Sequence, residues 1–178
     1  MKRLIYVLII LCLCISSCSA EPAVSVENAP SFAAPLEVAL KALLDGDGDA
    51  YLKAFPPEMV KDYKEQDVYL YYYSLQDMTA WLKNNLRIYG TAYGDDFYVR
   101  GSISSLEKLS VDSLGDANLD YHTFLRYVTP DNTEEVMALL FSYKIGGSEG
   151  SEAKEARLYF VKQKGVWYLH PCFAFYTF

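Results

Sequence analysis

An α+β fold, with N-terminal helices packed on a curved antiparallel sheet, is predicted by three features of the sequence. Apolar residues recur at helical spacing through the first half, they alternate at strand spacing through the second, and Lys164-Gly165 forms a two-residue turn signal near the end. A run of helices followed by a run of strands packs as separate layers, and 178 residues suit one domain. At 52% hydrophobic and 22% charged residues the chain has the composition of a folded protein, and its net charge of −7 argues against nucleic acid, which demands a basic stripe.

The first segment is a leader. Lys2 and Arg3 precede an apolar run from Leu4 to Ile15, which is too short for a permanent membrane-spanning helix and fits the two regions of an export signal. Ile15-Ser16-Ser17-Cys18 then resembles the lipobox of bacterial lipoproteins, a branched apolar residue and two small ones before a cysteine. The resemblance implies that Cys18 receives a diacylglycerol thioether and becomes the mature N-terminus, with the thiol acting as nucleophile. Ordinary cleavage after Ala20 is the alternative. Two acyl chains suffice for stable anchoring to the outer face of a cell membrane. Loss of Lys2 and Arg3 leaves the mature chain still more acidic, so the anchor would be lipid rather than basic patches. Residues 1–17 are therefore expected to be a signal peptide and 18–34 a lipidated N-terminus and flexible tether. From Ser19 to Ala34 the chain is rich in Ala, Pro, Ser, Val and Glu without sustained periodicity.

The folded domain is expected over 35–178. Pro35 suits a helix start, and Leu36, Ala39, Leu40, Leu43 and Leu44 form one apolar stripe. Asp45-Gly46-Asp47-Gly48-Asp49 interrupts it, and Tyr51, Leu52 and Phe55 resume it. The three aspartates match the opening of an EF-hand loop, but Ala50 stands where that loop needs Gly and Pro56 where it needs Glu, so helix termination and capping are the favoured reading. Pro56-Pro57-Glu58 opens a second helix with Met59, Val60 and Tyr63 on its face. Ser74-Leu75-Gln76-Asp77 has the form of a capping box for a third. That helix is expected to turn Leu75, Met78, Leu82, Leu86 and Tyr89 inward, to widen its apolar face with Trp81 and Ile88, and to end at Gly90.

Strands follow over Phe97 to Leu109, Val136 to Ile145, Ala156 to Gln163 and Val166 to Ala174, with a weaker helical segment between Val111 and Tyr127. In the second strand Met137, Leu139, Phe141, Tyr143 and Ile145 are expected on the buried face, against Val136, Ala138, Ser142 and Lys144 on the other.

The helix-rich first half, the strand ending Ser105-Leu106-Glu107-Lys108-Leu109-Ser110, and the closing hairpin with Lys164-Gly165-Val166-Trp167-Tyr168 resemble small Gram-positive lipoproteins of the nuclear transport factor 2-like, cystatin-like superfamily. The resemblance implies a conical roll in which a bent sheet wraps long helices and leaves a pocket at its wide end. It does not select a function, because that architecture carries isomerases, dehydratases and binding modules.

The side chains that could do chemistry are few. Asp120 and His122 are two residues apart, a spacing that does not bring them to one helical face, and His170 and Cys172 lack an oxyanion hole or a third metal ligand. Structural or surface roles are favoured for both histidines and a buried, inert one for Cys172, and no catalytic residue, metal site or cofactor is predicted. Tyr69, Tyr71, Tyr72 and Tyr73 form the densest aromatic run and are the candidate ligand-binding residues, since phenol rings offer broad apolar faces with a polar tip. Phe173, Phe175, Tyr176 and Phe178 could cover the sheet or form a homodimer face. The expected function is a membrane-anchored, non-catalytic module for a small apolar or aromatic ligand or an envelope protein; the alternative is a pocket enzyme of isomerase or dehydratase type.

Overall fold

The computed structural model describes residues 22–66, 78–112 and 127–170. Within them the fold is α+β. Four helices, α1 (Ala34–Asp45), α2 (Gly48–Leu52), α3 (Pro57–Gln66) and α4 (Met78–Tyr93), accompany strands β1 (Val24–Glu27), β2 (Tyr98–Leu109), β3 (Glu135–Gly146), β4 (Ser151–Gln163) and β5 (Val166–Leu169). The strands form one sheet in the order β1-β2-β3-β4-β5, strongly curled into a half-barrel.

Strand β1 corrects the expected tether. Residues 24–33 are ordered: Val24 to Glu27 pair in parallel with Val99 to Ser102, and Ser31–Ala33 make a 3-10 turn. The stretch defied sequence periodicity because four residues are too few to establish it, and the strand exists only through its partner β2. Phe32 in the turn packs edge-on against Phe160 at 5.6 Å between ring centroids and against Trp167 at 5.3 Å.

Helix α1 buries Leu36, Ala39, Leu40 and Leu43 as the stripe requires. It contacts both β1 and β5, the two edges of the sheet, and so crosses the hollow of the half-barrel. Gly46 closes the helix in the left-handed conformation at φ 64°, and Asp47 caps α2 by accepting the Ala50 amide at 2.9 Å. Gly48 opens α2 instead of ending a helix. A methyl group on it would come within 2.8 Å of the Thr79 backbone nitrogen, which sets the close approach of α2 to α4. Helix α4 buries Leu82 and Tyr89 but leaves Ile88 48% exposed, so Ile88 is not part of its core face. The helix also passes through Gly90 and stops before Gly94, whose φ of +98° suits glycine.

Strands β2, β3 and β4 are 12, 12 and 13 residues long and antiparallel, and Ser104 is an extra residue between the pairs Ile103–Phe141 and Ser105–Leu140. Such a bulge bends a strand and increases its twist. Leu139, Phe141, Tyr143 and Ile145 are buried on the expected face, but Val136 and Ala138 are buried as well, opposite buried Val161 and Tyr159. That end of the sheet is covered on both faces, in keeping with an apolar run from Val136 to Phe141 that contains no polar side chain. The β4–β5 turn at Lys164 and Gly165 has φ of 50° and 77°, both positive, as a two-residue hairpin requires. The helical segment expected between Val111 and Tyr127 and the capping box at Ser74 lie outside the described residues, as does the end of the last strand beyond His170.

Gly101 faces Tyr143 across β2 and β3, where the Phe141 and Tyr143 rings stack at 5.0 Å and 10°. A methyl group at 101 would lie 2.5 Å from the Ser142 carbonyl oxygen and 2.6 Å from the Phe141 ring. Gly101→Ala is accordingly expected to lower the unfolding free energy by about 1–3 kcal/mol, and Phe160→Ala by about 3–5 kcal/mol. Urea denaturation curves measure both, and a wild-type midpoint for Gly101→Ala would refute the packing argument.

Candidate functional site

A concavity with an apolar floor lies between α2, α3 and β5. It begins with the way the two short helices are joined. Helix α2 ends at Leu52 with Lys53 as its C-cap, and the following link is tied to the sheet by the Leu169 amide, which donates to the Ala54 carbonyl at 2.8 Å. Phe55, 1% exposed and 5.3 Å from the Tyr51 ring, anchors the link in the core. Pro57 then starts α3 in a new direction, at a position where a missing amide hydrogen costs nothing. The two helices and β5 are left splayed around a groove of about 690 Å³.

Leu52, Phe55, Val60 and Tyr168 provide its apolar and aromatic surface, and Pro57 completes one wall. Asp49, Lys53 and Lys61, all exposed, stand around the opening. This volume falls within the usual range for small-molecule sites, and an apolar floor with a few charged groups is their usual composition. A second cleft of about 560 Å³ on the sheet is lined largely by charged and hydroxyl side chains, among them Arg100, Ser142, Lys144 and Glu155.

His170 does not line the groove. His122 lies outside the described residues. His170 is fully buried where its amide donates to the Tyr159 carbonyl at 2.8 Å, and desolvation lowers its pKa to about 4, leaving a neutral ring. The clearest carboxylate–phenol pair is elsewhere: the Tyr93 hydroxyl donates to Glu152 at 2.8 Å, and Lys154 approaches the same carboxylate at 3.1 Å. The phenol's hydrogen bond and the ammonium hold Glu152 below the ordinary carboxylate range, the wrong direction for a base, while desolvation leads the rise of Tyr93. Burial likewise pushes Tyr89 up to about 12 and raises Tyr143. These phenols stay protonated and link α4 to the sheet.

Cys18 and Tyr69, Tyr71, Tyr72 and Tyr73 all lie outside the described residues, as do Asp120, Cys172 and the aromatic C-terminus. In the chain the tyrosine run follows α3, which forms one wall of the groove. Leu52, Phe55 and Val60 were legible only as helix faces, and Tyr168 only as part of the hairpin; the Pro56-Pro57 break was the one local signal that the two helical faces diverge. Among the described residues no group of three or more His, Cys, Asp or Glu could hold a metal ion. The chain matches no protein-family model and no curated protein.

His170 makes stability depend on pH. Its ring takes a proton below 6.5 when unfolded but only near 4 when folded, so stability is full above 6.5 and is lost as pH falls towards 4. The loss attributable to this side chain is expected to reach roughly 2 kcal/mol by about pH 5. Urea unfolding at several pH values should show that loss in wild type and its absence in His170→Gln; parallel curves would rule the assignment out.

Proposed function

We propose that the chain is a non-catalytic, lipid-anchored module on the outer face of a cell membrane, which binds a small apolar or aromatic ligand in the groove between α2, α3 and β5. The observation that carries the binding reading is the pairing of an apolar floor, Leu52, Phe55, Val60 and Tyr168, with a charged opening that has no histidine and no coupled carboxylate pair among the described residues. An acid–base enzyme needs a proton acceptor poised at the ligand, and the groove's described lining offers Asp49 alone, at its exposed opening. The proposal includes membership of the nuclear transport factor 2-like superfamily, supported by the helix-then-strand order and the Lys164-Gly165-Val166-Trp167-Tyr168 hairpin. It also includes the tyrosines at 69, 71, 72 and 73 as neighbours of the bound ligand.

Anchoring rests on Cys18 after Ile15-Ser16-Ser17. With β1 beginning at Val24, five residues separate Cys18 from the first strand, a stretch that spans at most roughly 18 Å when fully extended. The folded domain would therefore sit close to the lipid surface rather than on a long leash.

Cys18→Ala is expected to move the protein from the membrane fraction to the soluble fraction; unchanged partitioning would remove the lipid anchor. A library of small ligands screened by NMR against the methyl groups of Leu52 and Val60 tests the groove, and Val60→Trp, which fills its mouth, should weaken any hit at least tenfold. Hits that shift other methyl groups and bind Val60→Trp normally would displace the site. A Tyr71→Ala/Tyr72→Ala variant with wild-type affinity would exclude the tyrosine run from it.

A further inference from the structure

A described strand covers only part of the outer edge of β4. Strand β5 pairs with Phe160 to Gln163, and the His170 amide carries the ladder one residue further by donating to the Tyr159 carbonyl at 2.8 Å. From Ser151 to Leu158 β3 pairs with one side of β4, and no described strand lies on the other. The Tyr159 carbonyl faces that other side, so by strand alternation the backbone groups of Arg157, Glu155, Ala153 and Ser151 face it too. An open edge of this length is a template for a further strand.

We propose that this edge is the docking site of the chain's own residues 171–178, which add to β4 as an antiparallel continuation of β5, with Cys172 opposite Arg157 and Ala174 opposite Glu155. The register follows from Leu169 opposite Phe160 and His170 beside Tyr159, and it lets residues 171–178 reach along the edge as far as Ser151. Pro171 suits its place in that ladder. The Leu169 amide points away from β4, to the Ala54 carbonyl at 2.8 Å, and position 171 has the same sense, so pairing with β4 needs no amide hydrogen there. Phe173 and Phe175 fall opposite Ala156 and Lys154, which stand opposite Phe141 and Tyr143, so the two rings extend the sheet face that carries the stacked pair. Ala156 is half-buried against the core and small, and an aromatic neighbour would complete the apolar row beside it. With its own segment in place the edge is closed, and a foreign peptide or a second copy could add a strand to β4 only by displacing it. The docking stands apart from the groove and does not depend on a ligand there.

Cys172 makes the register testable, because opposed residues of a hydrogen-bonded antiparallel pair have Cα atoms about 5.5 Å apart, within disulfide reach. The full chain carrying Cys12→Ser, Cys14→Ser and Cys18→Ser is the background. In it Arg157→Cys is expected to form a disulfide with Cys172 within one chain, in a glutathione redox buffer, at least about tenfold faster than Ala153→Cys, which lies two pairs further along and beyond reach. Non-reducing electrophoresis and peptide mass mapping read the bond. Equal rates in the two variants, including no bond in either, would overturn the register, and a bond found only between chains would assign the edge to a second copy instead. Hydrogen exchange supplies a test without cysteines. Ala174→Pro removes an amide aimed at β4 and should speed exchange of the Glu155 amide at least about tenfold, whereas Phe175→Pro removes one aimed outward and should leave it slow. Equal exchange in the two proline variants would refute the pairing.

Discussion

The bend in β2 is the constraint from which the rest of the architecture follows. At Gly101 the strand has no side chain, so Phe141 and Tyr143 can stack against its backbone, and three residues later Ser104 bulges out of register. Long antiparallel strands without such relief twist gradually, whereas a bulge concentrates bend and twist at one point. The resulting hollow is what α1 fills. Since that helix touches β1 at one edge and β5 at the other, sheet curvature and helix packing stabilise each other. Hydrophobic burial in this shared core is the main force that holds the described elements together.

From that core the groove arises by a local conflict. The Gly46 turn and Asp47 cap place α2 against α1 and α4, while the Leu169–Ala54 hydrogen bond holds the α2–α3 link to the sheet edge. Pro57 then opens α3. Phe55 is used up in the core, but Val60 and Tyr168 remain only half-buried because no described element closes over them. An apolar surface left open by a rigid linkage is preorganised, so a ligand need not rearrange the backbone to bind.

The helices and long strands were legible because each carries enough residues for its period to stand out: the Leu36 to Leu44 stripe, the alternation from Leu139 to Ile145, and the Lys164-Gly165 turn all match the structure. The misreadings have a common cause. Val24 to Glu27 is a strand only because β2 offers its edge; Ile88 is exposed only because the core closes on Leu82 and Tyr89; Gly90 stays helical because the Gly94 amide still reaches its carbonyl, at 2.9 Å. These are tertiary decisions, and no local pattern contains them. The groove was illegible for the same reason, since Lys53, Lys61 and Tyr168 meet only after the Pro57 bend and the hairpin have both formed.

The ordered β1 also changes the geometry of anchoring. In a lipidated chain a sixteen-residue coil would hold the domain at roughly 20 Å from the surface in any orientation. Pairing of Val24 to Glu27 with β2 instead fixes the exit point of the chain at one sheet edge, while Tyr168 on β5 places the groove at the opposite edge. Four inter-strand spacings separate the two, about 19 Å along the curved surface. A short link from Cys18 would thus hold the β1 edge near the headgroups and keep the groove displaced from the point of attachment. A ligand leaving the bilayer and one arriving from solution would then meet the same opening, and it is the tether's attachment to an edge strand, more than its length, that would govern which of them reaches it first.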